Sequence, residues 1–187
     1  MRKIKTIFDR NWETNRKVNT KLIVDFNFEE AIATEKLDGM NIRLTVRNGE
    51  AVRVEKRRNP SKIQKQKNIT EPWYVDTDVY AKEDKWIFDA VKNTDLSRVK
   101  DGEWSAEAIG KNIQGNPLNL ENNQVFFFSL PEWRERIRLN EVPYHFQELK
   151  HYLEQQKSLI GNNALIEGIV WHHPNGDMVK IKRKDFL

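Results

Sequence analysis

There is no cysteine anywhere in the 187 residues. Neither a disulfide framework nor a thiolate metal site is available, and the chain suits a reducing cytoplasm. Histidine is scarce as well, and the four, His145, His151, His172 and His173, do not form a spaced ligand set. Any metal must then be held by oxygens, which fits Mg²⁺ or Mn²⁺ bound between carboxylates and substrate phosphates. No apolar stretch is long enough for a membrane span or a signal-peptide core, so the expectation is a soluble, unprocessed protein without membrane contact. Internal repeats, low-complexity tracts and interdomain linkers are also missing. One domain over residues 1–187 is therefore expected, large enough to bury a core.

Charge is present in both signs and nearly balanced, with a net charge of +4, so its distribution says more than its total. Arg53, Lys56, Arg57, Arg58, Lys62, Lys65 and Lys67 face a single acid, Glu55, in the same stretch, and both ends of the chain are basic. The stretch from Glu71 to Asp84 is acidic instead. A basic cluster favours a nucleic acid partner, although a solvated helix face accounts equally well for 62–67 taken alone.

Two hairpins are legible. Asn48-Gly49, a pair that tolerates positive φ, is flanked by Ile42–Val46 and Ala51–Val54, and Asn175-Gly176 is flanked by Ile166–Trp171 and Met178–Arg183. A two-residue loop at Asn175-Gly176 sets Trp171 opposite Lys180, Ile169 opposite Lys182 and Glu167 opposite Lys184, and puts Glu167, Lys180 and Lys182 on one face. The same register in the first hairpin sets Arg57 opposite Met40. Ser105–Ile109 and Val125–Leu130 read as strands, and Phe146–Ile160 as a helix with Phe146, Leu149, Leu153 and Ile160 on one stripe. The expected class is α+β, antiparallel sheets flanked by helices.

The residues that carry chemistry lie in two widely separated strings. Thr34-Glu35-Lys36-Leu37-Asp38-Gly39-Met40-Asn41 places a lysine before an acid-glycine pair, and Glu167-Gly168-Ile169-Val170 is followed by Lys180-Ile181-Lys182. The first resembles the Lys-x-Asp-Gly motif of the covalent nucleotidyltransferases, which include polynucleotide ligases and capping guanylyltransferases. From about Ala33 to Phe186 the chain resembles the ATP-dependent RNA ligases, of the RNA ligase 2 type and of a smaller group that includes a vertebrate 5′–3′ RNA ligase. That likeness is strongest in Thr34-Glu35-Lys36, in Ile109-Gly110-Lys111-Asn112-Ile113-Gln114-Gly115-Asn116-Pro117 and in Glu167-Gly168-Ile169-Val170-Trp171-His172.

The resemblance implies a nucleotidyltransferase domain that uses ATP and a divalent metal, Mg²⁺ or Mn²⁺, to join a 5′-phosphate to a 3′-hydroxyl of RNA. Lys36 would be the nucleophile that forms lysyl-AMP. A lysine of ordinary pKa, about 10.4, is neutral in only roughly one molecule in 2,500 at pH 7, so the site must make the free amine accessible. Lys180 and Lys182 would neutralise phosphates, and Glu35 with Asp38 and Gly39 would belong to the nucleotide site, Glu35 at the adenine edge. One aromatic of Phe126, Phe127 and Phe128, with Phe128 preferred, is the expected stacking partner of adenine, and the other two are expected as core. Glu107 and Glu167 would serve the ribose hydroxyls and the metal. Glu103 remains an alternative to Glu107, since it stands four residues away on the same strand. Asn41 and Arg57 match positions that act on the 5′-phosphate after lysine adenylylation.

Larger ligases continue beyond the last lysine motif with an accessory domain, whereas this chain ends at Leu187. A minimal domain without a C-terminal accessory domain is expected, with substrate grip supplied by the domain itself or by a protein partner. The rival readings are a small DNA ligase, a GTP-dependent capping guanylyltransferase and a nucleic-acid-binding module that has lost the chemistry.

Overall fold

The computed structural model describes residues 3–187, which form two compact units, one of Lys3 with Asp38–Trp133 and one of Ile4–Leu37 with Arg134–Leu187. The chain is a mixed α/β structure whose sheets are antiparallel apart from one parallel edge pair. Among the described residues no helix is long and apolar enough to cross a membrane.

The unit of Asp38–Trp133 is built on a five-stranded sheet in the order Trp73–Asp76, Glu50–Arg58, Met40–Arg47, Gly102–Ile109 and Gln124–Phe126. Alternation gives this sheet two different faces. Ile42, Leu44 and Val46 pack with Ala106, Ala108, Val125 and Phe127 against Ile87 and Ala90 of helix Lys85–Lys92. Asn41, Arg43, Arg57, Glu55, Ser105 and Glu107 occupy the alternate positions. Asn48 and Gly49 take φ of 52° and 76°, and Arg47 pairs with Glu50, so the two-residue turn is as expected. A β-bulge between Thr45 and Val46 then moves the pairing by one, to Ile42 with Lys56. Continued to the end of the strand, this register sets Arg57 opposite Asn41, not Met40.

The other unit carries a five-stranded sheet in the order Lys5–Thr6, Met178–Lys182, Gly168–His172, Ile32–Lys36 and Arg138–Leu139, with a separate hairpin of Phe8–Arg10 and Val18–Leu22. Its core gathers Ile7, Phe8, Ile166, Ile169, Trp171, Val179 and Ile181 with Leu149 and Leu153 of helix Phe146–Gln155. The helix stops five residues before the expected Ile160, with Gln156 already extended at φ −66° and ψ 120°. The Glu35 carboxylate captures the Ser158 hydroxyl at 2.5 Å and the Leu159 amide at 2.8 Å, and so holds the chain in a non-helical path. The expected strand 125–130 also shortens, because after Phe126 the amide of Phe128 turns back to the Phe126 carbonyl and that of Leu130 to Phe127.

Three of the seven basic residues of the stretch 53–67 are paired with acids within their own unit. Lys56 is paired with Asp84 at 2.6 Å and Glu83 at 2.8 Å, Arg53 with Asp76 at 2.7 Å and Arg58 with Glu83 at 3.4 Å. The acidic stretch is thus the partner of these three. Lys62, Lys65 and Lys67, on and beside the short helix Lys62–Gln66, remain exposed.

Candidate active site

Lys36 is the last residue of its strand and is half-buried. Its Nζ donates to Glu167 Oε2 at 2.6 Å, while Lys182 Nζ lies 2.6 Å from Glu167 Oε1. One carboxylate therefore bridges two ammonium groups, with Glu167 exposed by only 9% of its side chain and each lysine by 22%. The strand register explains why the three meet. Gly168 pairs with Lys36 on one side and with Lys182 on the other, so the two lysines flank a residue without a side chain. A Cβ at Gly168 would stand 2.1 Å from the Ile181 carbonyl oxygen and 2.8 Å from Lys182 Cα, which leaves glycine as the residue that fits.

The route to this cluster differs from the one expected. The pairing is Val170 with Lys180, Ile169 with Ile181 and Gly168 with Lys182, one residue away from the register of a two-residue loop. The strands are joined by a wider loop, residues 173–177, in which the His173 amide bonds to the Asp177 carbonyl and the Asn175 side chain bonds to Asp177 at both ends. Ile169 and Trp171 consequently face the core with Ile181 and Val179, whereas Lys180 and Lys182 alternate onto the other face. Glu167 joins them because it precedes the strand: its carbonyl accepts from the Arg183 amide and its side chain turns toward the lysines.

Electrostatics follow from this packing. Burial pushes the Glu167 carboxyl up, but the charges of Lys36 and Lys182 and their hydrogen bonds outweigh it and hold it below the usual range. Glu35 is different. It alternates to the face away from Lys36, is buried, and has both oxygens engaged by Ser158 and Leu159; burial raises its carboxyl despite those two bonds. Its side chain is not among the groups brought to Lys36, and it anchors the loop after helix Phe146–Gln155.

On the Lys36 face, Thr34 Oγ1 lies 2.9 Å from His172 Nε2. Burial, with a smaller contribution from the Arg134 charge, pushes the His172 imidazole down from 6.5 to about 4. A histidine with a depressed folded pKa contributes stability that is present above its ordinary value and is lost as pH falls toward the folded one. Melting temperature should therefore fall as pH is lowered from 6.5 to about 4, and fall less steeply in His172→Gln. Glu167, held low, adds a loss below its ordinary 4.5, while Glu35, raised, works in the opposite sense. Identical pH profiles for wild type and His172→Gln would contradict this assignment.

The unit of Asp38–Trp133 carries three of the other expected residues, Asn41, Arg57 and Glu107, on the polar face of its sheet. Asn41 pairs with Glu107, and Glu107 with Phe126. Glu107 is thus the residue beside Asn41, whereas Glu103 is exposed and stands 4.0 Å from Arg43. Arg57 pairs with Tyr74, and its buried Nε has no hydrogen-bond partner among the described residues. Gly39 passes so close to its neighbours that a Cβ would lie 2.2 Å from the Ala108 carbonyl oxygen. Phe126 and Phe127 are buried and Phe128 is half-buried, in line with two of the three serving as core.

Tyr74 escaped the sequence reading. Its hydroxyl donates to Asn41 Oδ1 at 2.6 Å and lies 3.1 Å from Ser105 Oγ. A lone tyrosine in an acid-rich stretch carries no motif, and only the strand pairing with Arg57 would have pointed to it.

A family model described as RNA ligase 1 matches residues 82–186, more than half of the chain, and the chain belongs to that family. No curated protein matches it. Among solved structures it is similar to a Naegleria gruberi RNA ligase with PPi, at a TM-score of 0.45 and 15% identity over 84% of this chain and 50% of that one. An arginine-to-alanine mutant of the same ligase with ATP and Mn gives 0.43 and 16%, again over 84% and 50%. A lysine-to-methionine mutant with AMP and Mn gives 0.44 and 16% over 83% and 50%. The chain spans about half the length of these structures.

Proposed function

We propose that this chain is the nucleotidyltransferase domain of an ATP-dependent RNA ligase, acting in the cytoplasm. The observation that carries the reading is the Lys36–Glu167–Lys182 bridge, with both contacts at 2.6 Å, in a member of the RNA ligase 1 family. In the first step Lys36 Nζ, once deprotonated, attacks the α-phosphorus of ATP. A P–N bond forms, the bond to the β-phosphate oxygen breaks and pyrophosphate leaves. Lys182 and Lys180 supply positive charge to the phosphates, while Glu167 Oε2 holds Nζ at the strand end. In the second step the AMP passes to the 5′-phosphate of the RNA and frees Lys36. Finally the 3′-hydroxyl attacks that phosphate and AMP departs.

Asn41 and Arg57 act on the 5′-phosphate in this reading; Arg57 suits it as a planar fork. Asp38, Gly39 and Phe128 are assigned to the nucleotide site; the Glu35 carboxylate, held by Ser158 and Leu159, is not part of it. Among the described residues no cluster of three or more histidines, cysteines or carboxylates forms a protein-only metal cage. The ion of this reading is Mg²⁺ or Mn²⁺, which binds through one or two carboxylates and substrate phosphates. Such an ion, so held, would supply charge neutralisation at the triphosphate.

Two substrate comparisons test the assignment. Protein labelling is expected from α-labelled ATP and not from GTP, and a 5′-phosphorylated strand should join far better to a 3′ end bearing a 2′-hydroxyl than to its deoxy counterpart, because a site can read that group as donor and acceptor. Labelling by GTP alone would indicate a capping enzyme, and equal sealing of both ends a DNA ligase.

A further inference from the structure

The polar sheet face of the Asp38–Trp133 unit holds one tyrosine whose contacts reach beyond packing. Tyr74 donates its hydroxyl proton to Asn41 Oδ1 at 2.6 Å, and its oxygen lies 3.1 Å from Ser105 Oγ. With the amide oxygen engaged, Asn41 has its two N–H donors left to present. The ring is fixed in turn: the Arg43 guanidinium sits over it at 4.7 Å from the centroid and is locked by bonds of 2.7 and 2.8 Å to Glu55, which is 1% exposed. Tyr74 pairs with Arg57, the register of the hairpin brings Arg57 opposite Asn41, and Glu107 pairs with Asn41 on the other side. Two donor groups suited to an anion, the Asn41 amide and the Arg57 guanidinium, thus share a row that Tyr74 organises.

We infer that Tyr74 is a positioning residue for AMP transfer, fixing the Asn41 amide so that its N–H groups, and not its oxygen, meet the RNA 5′-phosphate. The inference rests on the role proposed for Asn41. An amide free to rotate would offer its oxygen to the phosphate in part of the population, and an acceptor facing an anion is repulsive. The effect belongs to the second step, since the first needs no 5′-phosphate.

Single-turnover transfer of AMP from preformed lysyl-AMP to a 5′-phosphorylated RNA strand reads this step directly. Tyr74→Phe should slow it by about tenfold, in keeping with one lost hydrogen bond to a group in the site, while formation of lysyl-AMP changes less than about twofold. In an Asn41→Ala background Tyr74→Phe should add nothing, a coupling that general loosening of the sheet would not produce. Asn41→Asp offers a second route that leaves Tyr74 intact. It keeps an acceptor for the tyrosine but removes the N–H donors, and should transfer AMP no better than Asn41→Ala. Normal transfer by Tyr74→Phe or by Asn41→Asp, with Asn41→Ala impaired, overturns the inference alone. So does an equal loss in both steps, or a full tenfold loss added on top of Asn41→Ala. Unimpaired transfer by Asn41→Ala would instead remove the underlying role of Asn41.

Discussion

Lys36→Ala protein should take up no label from α-labelled ATP, a loss limited only by detection. The ε-amine that attacks phosphorus is then absent, and the Glu167 carboxylate that held it remains paired with Lys182 at 2.6 Å, so the variant should stay folded. Lys36→Arg should be equally inactive. A guanidinium can keep the bond to Glu167, but it does not deprotonate in proteins and cannot supply the lone pair. The arginine variant thus separates chemistry from charge: it preserves the ion pair and lacks only the nucleophile. Labelling of either variant would place the nucleophile elsewhere.

The next largest effects are expected at the bridge itself. Lys182→Ala should lower the rate of lysyl-AMP formation by roughly 10²–10³-fold, the usual consequence of removing one preorganised charge from a largely buried site. Glu167→Ala should lose at least as much and should also lower the melting temperature, because Lys36 and Lys182 would face one another without the carboxylate between them. Glu167→Gln keeps the shape and removes the charge, so it should melt closer to wild type yet remain impaired in the reaction. Lys180→Ala should be slowed comparably, as its residue alternates onto the same face as Lys182. Lys184, exposed beyond the strand, provides the control: Lys184→Ala should be near normal. Pre-steady-state labelling with melting curves distinguishes these cases. A near-normal Lys182→Ala would detach the bridge from catalysis.

Local rules made the strings at the site legible, while longer-range packing decided how they meet. The Asn48-Gly49 turn formed as its φ preferences require, yet the β-bulge at Thr45 and Val46 lay beyond any turn rule and moved Arg57 to Asn41. At Asn175-Gly176 the same dipeptide sits in a wider loop, because the Asn175 side chain and His173 backbone both bond to Asp177 and open the turn. That shifted the register by one and reversed the reason for the site: Glu167 reaches the lysines from ahead of the strand, across Gly168, rather than by alternation along it. The pattern Glu-Gly was readable; the need for glycine between two lysines appears only with three strands side by side. Glu35 illustrates a different limit, since its place next to Lys36 in sequence puts it on the opposite face, where it stops a helix more than 100 residues away. In the 53–67 cluster, composition displayed the charges but not that Arg53, Lys56 and Arg58 are paired with acids from residues 76–84.

The most direct measurement of the central claim is peptide mapping of wild-type protein after incubation with ATP and Mg²⁺ or Mn²⁺. The expected result is a mass increment of one AMP on the peptide containing Lys36, labile in acid and stable in base as a phosphoramidate is, and discharged when a 5′-phosphorylated RNA strand is added. AMP on a different residue, or a protein that remains unmodified at saturating ATP and metal, would contradict the assignment.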